Sequence, residues 1–91
     1  VLADDQDAIA WQFAGRPQKG LDIPWNKEGV SPSIDGASAY FKCKQWKQYD
    51  AGDHVLFVGE ITEFNHKNGD SLTFFEGKMG STETYKSQKV Q

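Results

Sequence analysis

The segment that most constrains this chain is 54–64, His-Val-Leu-Phe-Val-Gly-Glu-Ile-Thr-Glu-Phe. In an extended chain Val55, Phe57 and Ile61 face one side, and His54, Leu56, Val58 and Glu60 face the other. Both faces are apolar in the middle, the pattern of a central strand covered on both sides. Turn chemistry bounds it. Asp50-Ala51-Gly52-Asp53 precedes it, and Asn68-Gly69 follows. Asn-Gly is the strongest short hairpin signal, because both turn positions can take positive φ.

The flanking segments read as partners for that strand. Residues 37–49 alternate: Ala37, Ala39, Phe41 and Cys43 form one row, and Tyr40, Lys42, Lys44 and Trp46 the other. Residues 71–77, Ser-Leu-Thr-Phe-Phe-Glu-Gly, read as a strand returning from the Asn68-Gly69 turn. Ahead of these strands, Asp4 or Asp5 can cap a helix running to about Ala14. Ile9 and Phe13 share one face of it, and Gly15 is placed to end it. Residues 16–36 are rich in Pro, Gly and polar side chains, and form a long loop with a short strand near Ile23 to Trp25. Residues 81–91 read as a polar tail that frays. The expectation is one helix, a long loop and a three-strand antiparallel meander. Three strands with open edges make an incomplete barrel or sandwich, so either a second copy completes the sheet or strands are missing.

Composition limits the function classes. A chain of 91 residues suits one small domain with a thin stability margin. The net charge of −3, with Lys and Arg dispersed, gives no footprint for nucleic acid. No apolar run approaches the roughly 18 residues of a membrane helix. Cys43 is the sole cysteine, so no internal disulfide forms; a reducing cytoplasm is the default, with Cys43 as a small buried hydrophobe. His54 and His66 are far apart and there is one Cys, so no metal is expected. Phosphate-binding glycine loops and nucleotide fingerprints are lacking too. The three tryptophans fall on three elements, which suits packing better than a carbohydrate platform. Val1 stands where Met would open a complete chain, so a processed chain or a fragment of something longer is expected.

Four segments together carry a resemblance. Ala-Gly-Asp-His-Val-Leu-Phe-Val-Gly-Glu-Ile-Thr-Glu-Phe, 51–64, is similar to the Gly-Asp-His signature of the flavin reductase-like family. Residues 1–15 resemble the family helix, residues 32–44 the strand in which Gly-Ala leads to an aromatic and then Cys, and residues 72–80 the closing strand. The resemblance covers about residues 1–80, read as the C-terminal part of such a domain. It implies a mainly β, antiparallel split barrel of the FMN-binding type, present here in part. It also implies NAD(P)H-dependent reduction of FMN or FAD, with NADH or NADPH as cosubstrate. A homodimer and a flavin-dependent monooxygenase that receives the reduced flavin are the implied partners. The family's N-terminal strands, which carry most flavin contacts, would precede Val1. Glu76 and Met79 depart from the basic and aromatic residues usual in the closing strand.

Each candidate has a plain structural reading beside the one the resemblance implies. His54 starts a strand after a tight turn; in the family it holds the nicotinamide beside the flavin. Gly52 supplies permissive backbone, which also admits a ligand. Asp53 caps the turn or sets the imidazole tautomer. Phe13, Ala14, Gly15 and Arg16 are a core residue, a helix end, its cap and a cation at the negative end of the helix dipole. The resemblance puts them near the flavin, with Arg16 able to meet a phosphate. Lys78 is a solvated strand-end charge or a nucleotide contact. The alternative for the whole chain is a non-catalytic β-rich binding or dimerisation module derived from that fold.

Overall fold

The computed structural model describes residues 1–29 and 31–87. The element order is helix α1 (Asp7–Phe13), strands β1 (Trp25–Asn26), β2 (Ser33–Ile34), β3 (Ala39–Ala51), β4 (His54–His66), β5 (Leu72–Phe75) and β6 (Lys78–Ser81), and helix α2 (Thr82–Ser87). The strands are antiparallel and form three two-stranded sheets, β1–β2, β3–β4 and β5–β6. No helix among the described residues is long and apolar enough to cross a membrane. Helix α2 falls in the segment read as a tail, whose end, 88–91, lies outside the described residues.

The β3–β4 hairpin dominates. It pairs from Ala39↔His66 to Ala51↔His54 and turns on Gly52 and Asp53 alone. Gly52 has φ +66°, while Asp53 stays at negative φ, the pattern of a type II′ turn with glycine in its first central position. Two irregularities break the ladder. Trp46 has no cross-strand partner, since Gln45 opposes Gly59 and Lys47 opposes Val58. Thr62 has none either, since Cys43 opposes Ile61 and Lys42 opposes Glu63. Each extra residue is a bulge that shifts the alternation of its strand by one. At the far end from the turn, Phe41 and Phe64 oppose each other and their rings stack at 6.3 Å.

The expected meander is corrected here. β4 does not return through Asn68-Gly69 into β5, and β5 pairs with β6 instead. The two-residue turn with positive φ at both positions is at Glu76 (φ 51°) and Gly77 (φ 80°), between Phe75 and Lys78. Residues 2–4 take the place expected for β4. The Leu72 amide donates to the Leu2 carbonyl at 2.9 Å, the Asp4 amide to the Asp70 carbonyl at 3.1 Å, and Ala3 bridges Ser71. On the other flank the Val1 nitrogen donates to the Ala39 carbonyl at 2.8 Å. Buried Ser38 joins the two flanks, its hydroxyl 2.8 Å from that of Ser71.

The helix start differs as well. Asp4 and Asp5 precede α1 by too much to cap it, and Gln6 occupies the cap position without a side-chain bond to the helix. The reason is that both side chains nearby are committed elsewhere. Asp4 Oδ2 accepts from Ser81 Oγ at 2.8 Å, while Gln6 Oε1 accepts from the Ala3 amide and its Nε2 donates to the Asp35 carbonyl. The helix end is as expected, with Gly15 at φ +85°. Among the described residues Ile9 and Ala3 are the buried apolar ones, whereas Phe13 and Cys43, both expected inside, are exposed. The central strand expected at 54–64 has only β3 beside it, and Leu56, Phe57, Ile61 and Phe64 face outward.

Candidate functional site

The tip of the β3–β4 hairpin carries the sharpest of the expected residues. Because the turn uses two residues only, His54 is the first ladder residue of β4 and stands directly after Asp53. The Asp53 carboxylate reaches the ring: Oδ1 lies 2.6 Å from His54 Nδ1. A carboxylate is acceptor-only, so in neutral His54 Nδ1 carries the proton and donates, and Nε2 is left as an acceptor. Both side chains are open to solvent, at 79% and 91% exposure. A Cβ built on Gly52 would meet nothing within 4 Å, so the turn backbone itself can be approached closely. Gly52, Asp53 and His54 therefore form one local group.

The other expected residues form a second group, on α1 and the strand pair behind it. Phe13 meets Trp25 edge-on at 6.2 Å rather than filling the core. Trp11, off the Ile9–Phe13 stripe, is the ring that packs against β5, edge-on to Phe74 at 6.1 Å. The Arg16 guanidinium lies over that same indole, 4.9 Å from its centre. This cation–π contact orients Arg16 without neutralising it, and no carboxylate pairs with Arg16 among the described residues. Ala14 and Gly15 complete the helix end, with open space above Gly15. Lys78 opposes Phe75 at the start of β6, immediately after the Glu76-Gly77 turn.

The two groups do not touch. Among the described residues no hydrogen bond, ion pair or ring contact links His54 or Asp53 to Phe13, Arg16 or Lys78. Val1 is docked at Ala39, opposite His66, at the base of the hairpin, while His54 sits at its tip. The ladder of twelve pairs runs between those ends.

Near the base, Lys42 links three elements. Its ammonium donates to the Glu28 carbonyl at 3.3 Å, pairs with Glu63 at 3.8 Å and lies over the Tyr40 ring. The Tyr40 phenol titrates above its usual value, chiefly through a hydrogen bond to Glu63. Partial desolvation and the Glu63 charge add to the rise, and a hydrogen bond to Asn65 opposes it. Asp4, Asp70 and Glu83 also gather carboxylate oxygens within 4.8 Å of one another, around the Ser81 and Thr82 hydroxyls. That grouping was invisible in the sequence, since it depends on residues 1–4 lying beside β5.

The chain's relatives are consistent. A family described as the flavin reductase like domain matches residues 1–83. The chain is similar to the FMN reductase (NADH) SmoA of Agrobacterium fabrum, 43% identical over 88% of this chain and 47% of the relative. It is similar also to an NADH-dependent flavin reductase from a Rhodococcus species, 32% identical over 91% of this chain and 47% of that protein. Among solved structures, the flavin reductase PheA2 aligns with a TM-score of 0.82 at 36% identity, covering 89% of this chain and 53% of that one. The chain thus spans about half the length of the relatives it matches. The architecture is accordingly the split-barrel type that the 51–64 signature implied, present in part.

Proposed function

This chain belongs to the flavin reductase-like domain family, and we propose that the protein carrying it reduces FMN or FAD with NADH or NADPH and passes the reduced flavin to a partner monooxygenase. The observation that carries this reading is the Asp53–His54 pair at the hairpin tip, inside a family match that covers residues 1–83. In the bound state the flavin supplies the hydride acceptor and the pyridine nucleotide the donor.

The chain's own residues would bind and orient. His54 Nε2, free to accept once Nδ1 is held by Asp53, takes an N–H of the nicotinamide carboxamide. That is a positioning contact, and it sets the reacting rings without consuming a proton. Gly52 lets the nucleotide lie against the turn. At the other group, Arg16 offers a flat guanidinium to a phosphate, presented by the Trp11 indole, and the open backbone at Ala14 and Gly15 admits the flavin beside Phe13. Lys78 offers a further cation for the nucleotide. These groups fit an anionic, planar ligand.

Support for the partner comes from the relatives. They include the reductase components of a trigonelline monooxygenase from Acinetobacter baylyi and a 4-nitrophenol monooxygenase from Rhodococcus opacus. A homodimer and a cytoplasmic location complete the proposal. The lone, exposed Cys43 suits a reducing compartment. A second reading, a non-catalytic module that pairs with another copy, is favoured by the outward apolar residues of β4. Titration of the intact protein with FMN and with FAD, followed by flavin fluorescence, separates the two. Micromolar binding is expected; no binding, together with a tight dimer by sedimentation, would support the second reading instead.

A further inference from the structure

Five consecutive pairs close the hairpin at its turn: Lys47↔Val58, Gln48↔Phe57, Tyr49↔Leu56, Asp50↔Val55 and Ala51↔His54. Opposed residues share a face, and faces alternate along each strand. Tyr49, Ala51, Leu56 and His54 therefore stand on one face, and Gln48, Asp50, Val55 and Phe57 on the other. Tyr49 is diagonal to His54, a spacing of about 7–8 Å that aromatic side chains bridge. Ala51, opposite His54, presents only a methyl group, and exposed Leu56, opposite Tyr49, an apolar side chain. The face offers a hydrogen-bond acceptor at one corner, an exposed ring at the diagonal one and apolar groups at the other two.

The two-residue turn sets this grouping: with Ala51 opposite His54, alternation puts the Tyr49 ring on the His54 face and the Asp50 carboxylate on the other. The bulge at Trp46 lies below these pairs and moves the row Tyr40-Lys42-Lys44 onto Lys47-Tyr49-Ala51. For a dinucleotide, a ring on the His54 face and a carboxylate off it both favour binding.

We infer that Tyr49 is a further binding residue for the pyridine nucleotide, its ring bordering the planar base that His54 holds. This rests on the reading of His54 as the nicotinamide-facing residue. The test is calorimetric titration of the intact protein with NAD+, alongside NADH KM, for Tyr49→Ala, Tyr49→Leu, Tyr49→Phe, Gln48→Ala and His54→Ala. Tyr49→Ala and Tyr49→Leu are expected to weaken NAD+ binding and raise the NADH KM roughly three- to ten-fold, the effect of one aromatic contact. Tyr49→Phe keeps the affinity, Gln48→Ala on the opposite face leaves it alone, and flavin affinity is unchanged in all. If His54→Ala weakens NAD+ binding but both ring-deleting variants stay within about twofold of the parent, the inference on Tyr49 is overturned and the reading of His54 stands. If His54→Ala has no effect either, that reading fails first and takes this one with it.

Discussion

Asp53 and His54 are adjacent in the chain and adjacent in chemistry, with carboxylate Oδ1 2.6 Å from ring Nδ1 at the turn of the β3–β4 hairpin. The contact decides which ring nitrogen faces a ligand. Asp53→Ala is expected to move His54 toward the Nε2–H tautomer, turning an acceptor into a donor. Nitrogen-15 NMR of the imidazole reads this directly, and the NADH KM should rise a fewfold with kcat less affected. Asp53→Asn, whose amide oxygen still accepts, should restore much of the parent behaviour. A tautomer that ignores Asp53 would remove its positioning role.

The turn between β5 and β6 holds a non-glycine residue, Glu76, at φ +51° beside Gly77 at φ +80°. A side chain in this left-handed region costs on the order of 1 kcal/mol, and asparagine tolerates it better than glutamate. Glu76→Asn should therefore stabilise the protein by about 0.5–1 kcal/mol, seen as a higher urea midpoint at unchanged slope. It should leave nucleotide binding as it was.

Tyr40 gives a pH signature. Its phenol has a raised pKa in the fold, first through the hydrogen bond to Glu63. The protonated phenol is thus favoured by folding. The contribution is fully present below the unfolded value near 10 and is lost as pH rises through the folded-state pKa. Urea midpoints of the parent and Tyr40→Phe should differ at about pH 8 and converge once the pH has risen through the raised folded-state pKa. A difference that persists at the higher pH would place the effect elsewhere than in the phenol proton.

Much of this was legible along the chain, and what was not has a common physical origin. The two-faced segment 54–64, the Gly-Asp turn before it and Gly15 at the helix end are local signals, and each lies where those residue types demand. The partner of β5 is not local. Asn68-Gly69 is good hairpin chemistry, yet residues 1–4 occupy that edge of β5, and the sharp turn falls at Glu76-Gly77. Nothing around Trp46 announces a bulge, yet the alternation of β3 shifts by one there. Phe13 reads as core by spacing, but it needs a covering element, and Trp25 meets it only at an edge. Register and cover are set by distant segments, and periodicity within one segment carries no information about them.

The central claim is that His54 orients a pyridine nucleotide in a flavin reductase. Its most direct test is steady-state NADH oxidation with FMN or FAD by the intact protein, parent against His54→Ala. A loss of one to two orders of magnitude in kcat/KM for NADH, with flavin affinity retained, is expected for removal of a hydrogen bond that positions the reacting ring. Unchanged kcat and unchanged NADH KM in His54→Ala would contradict the claim.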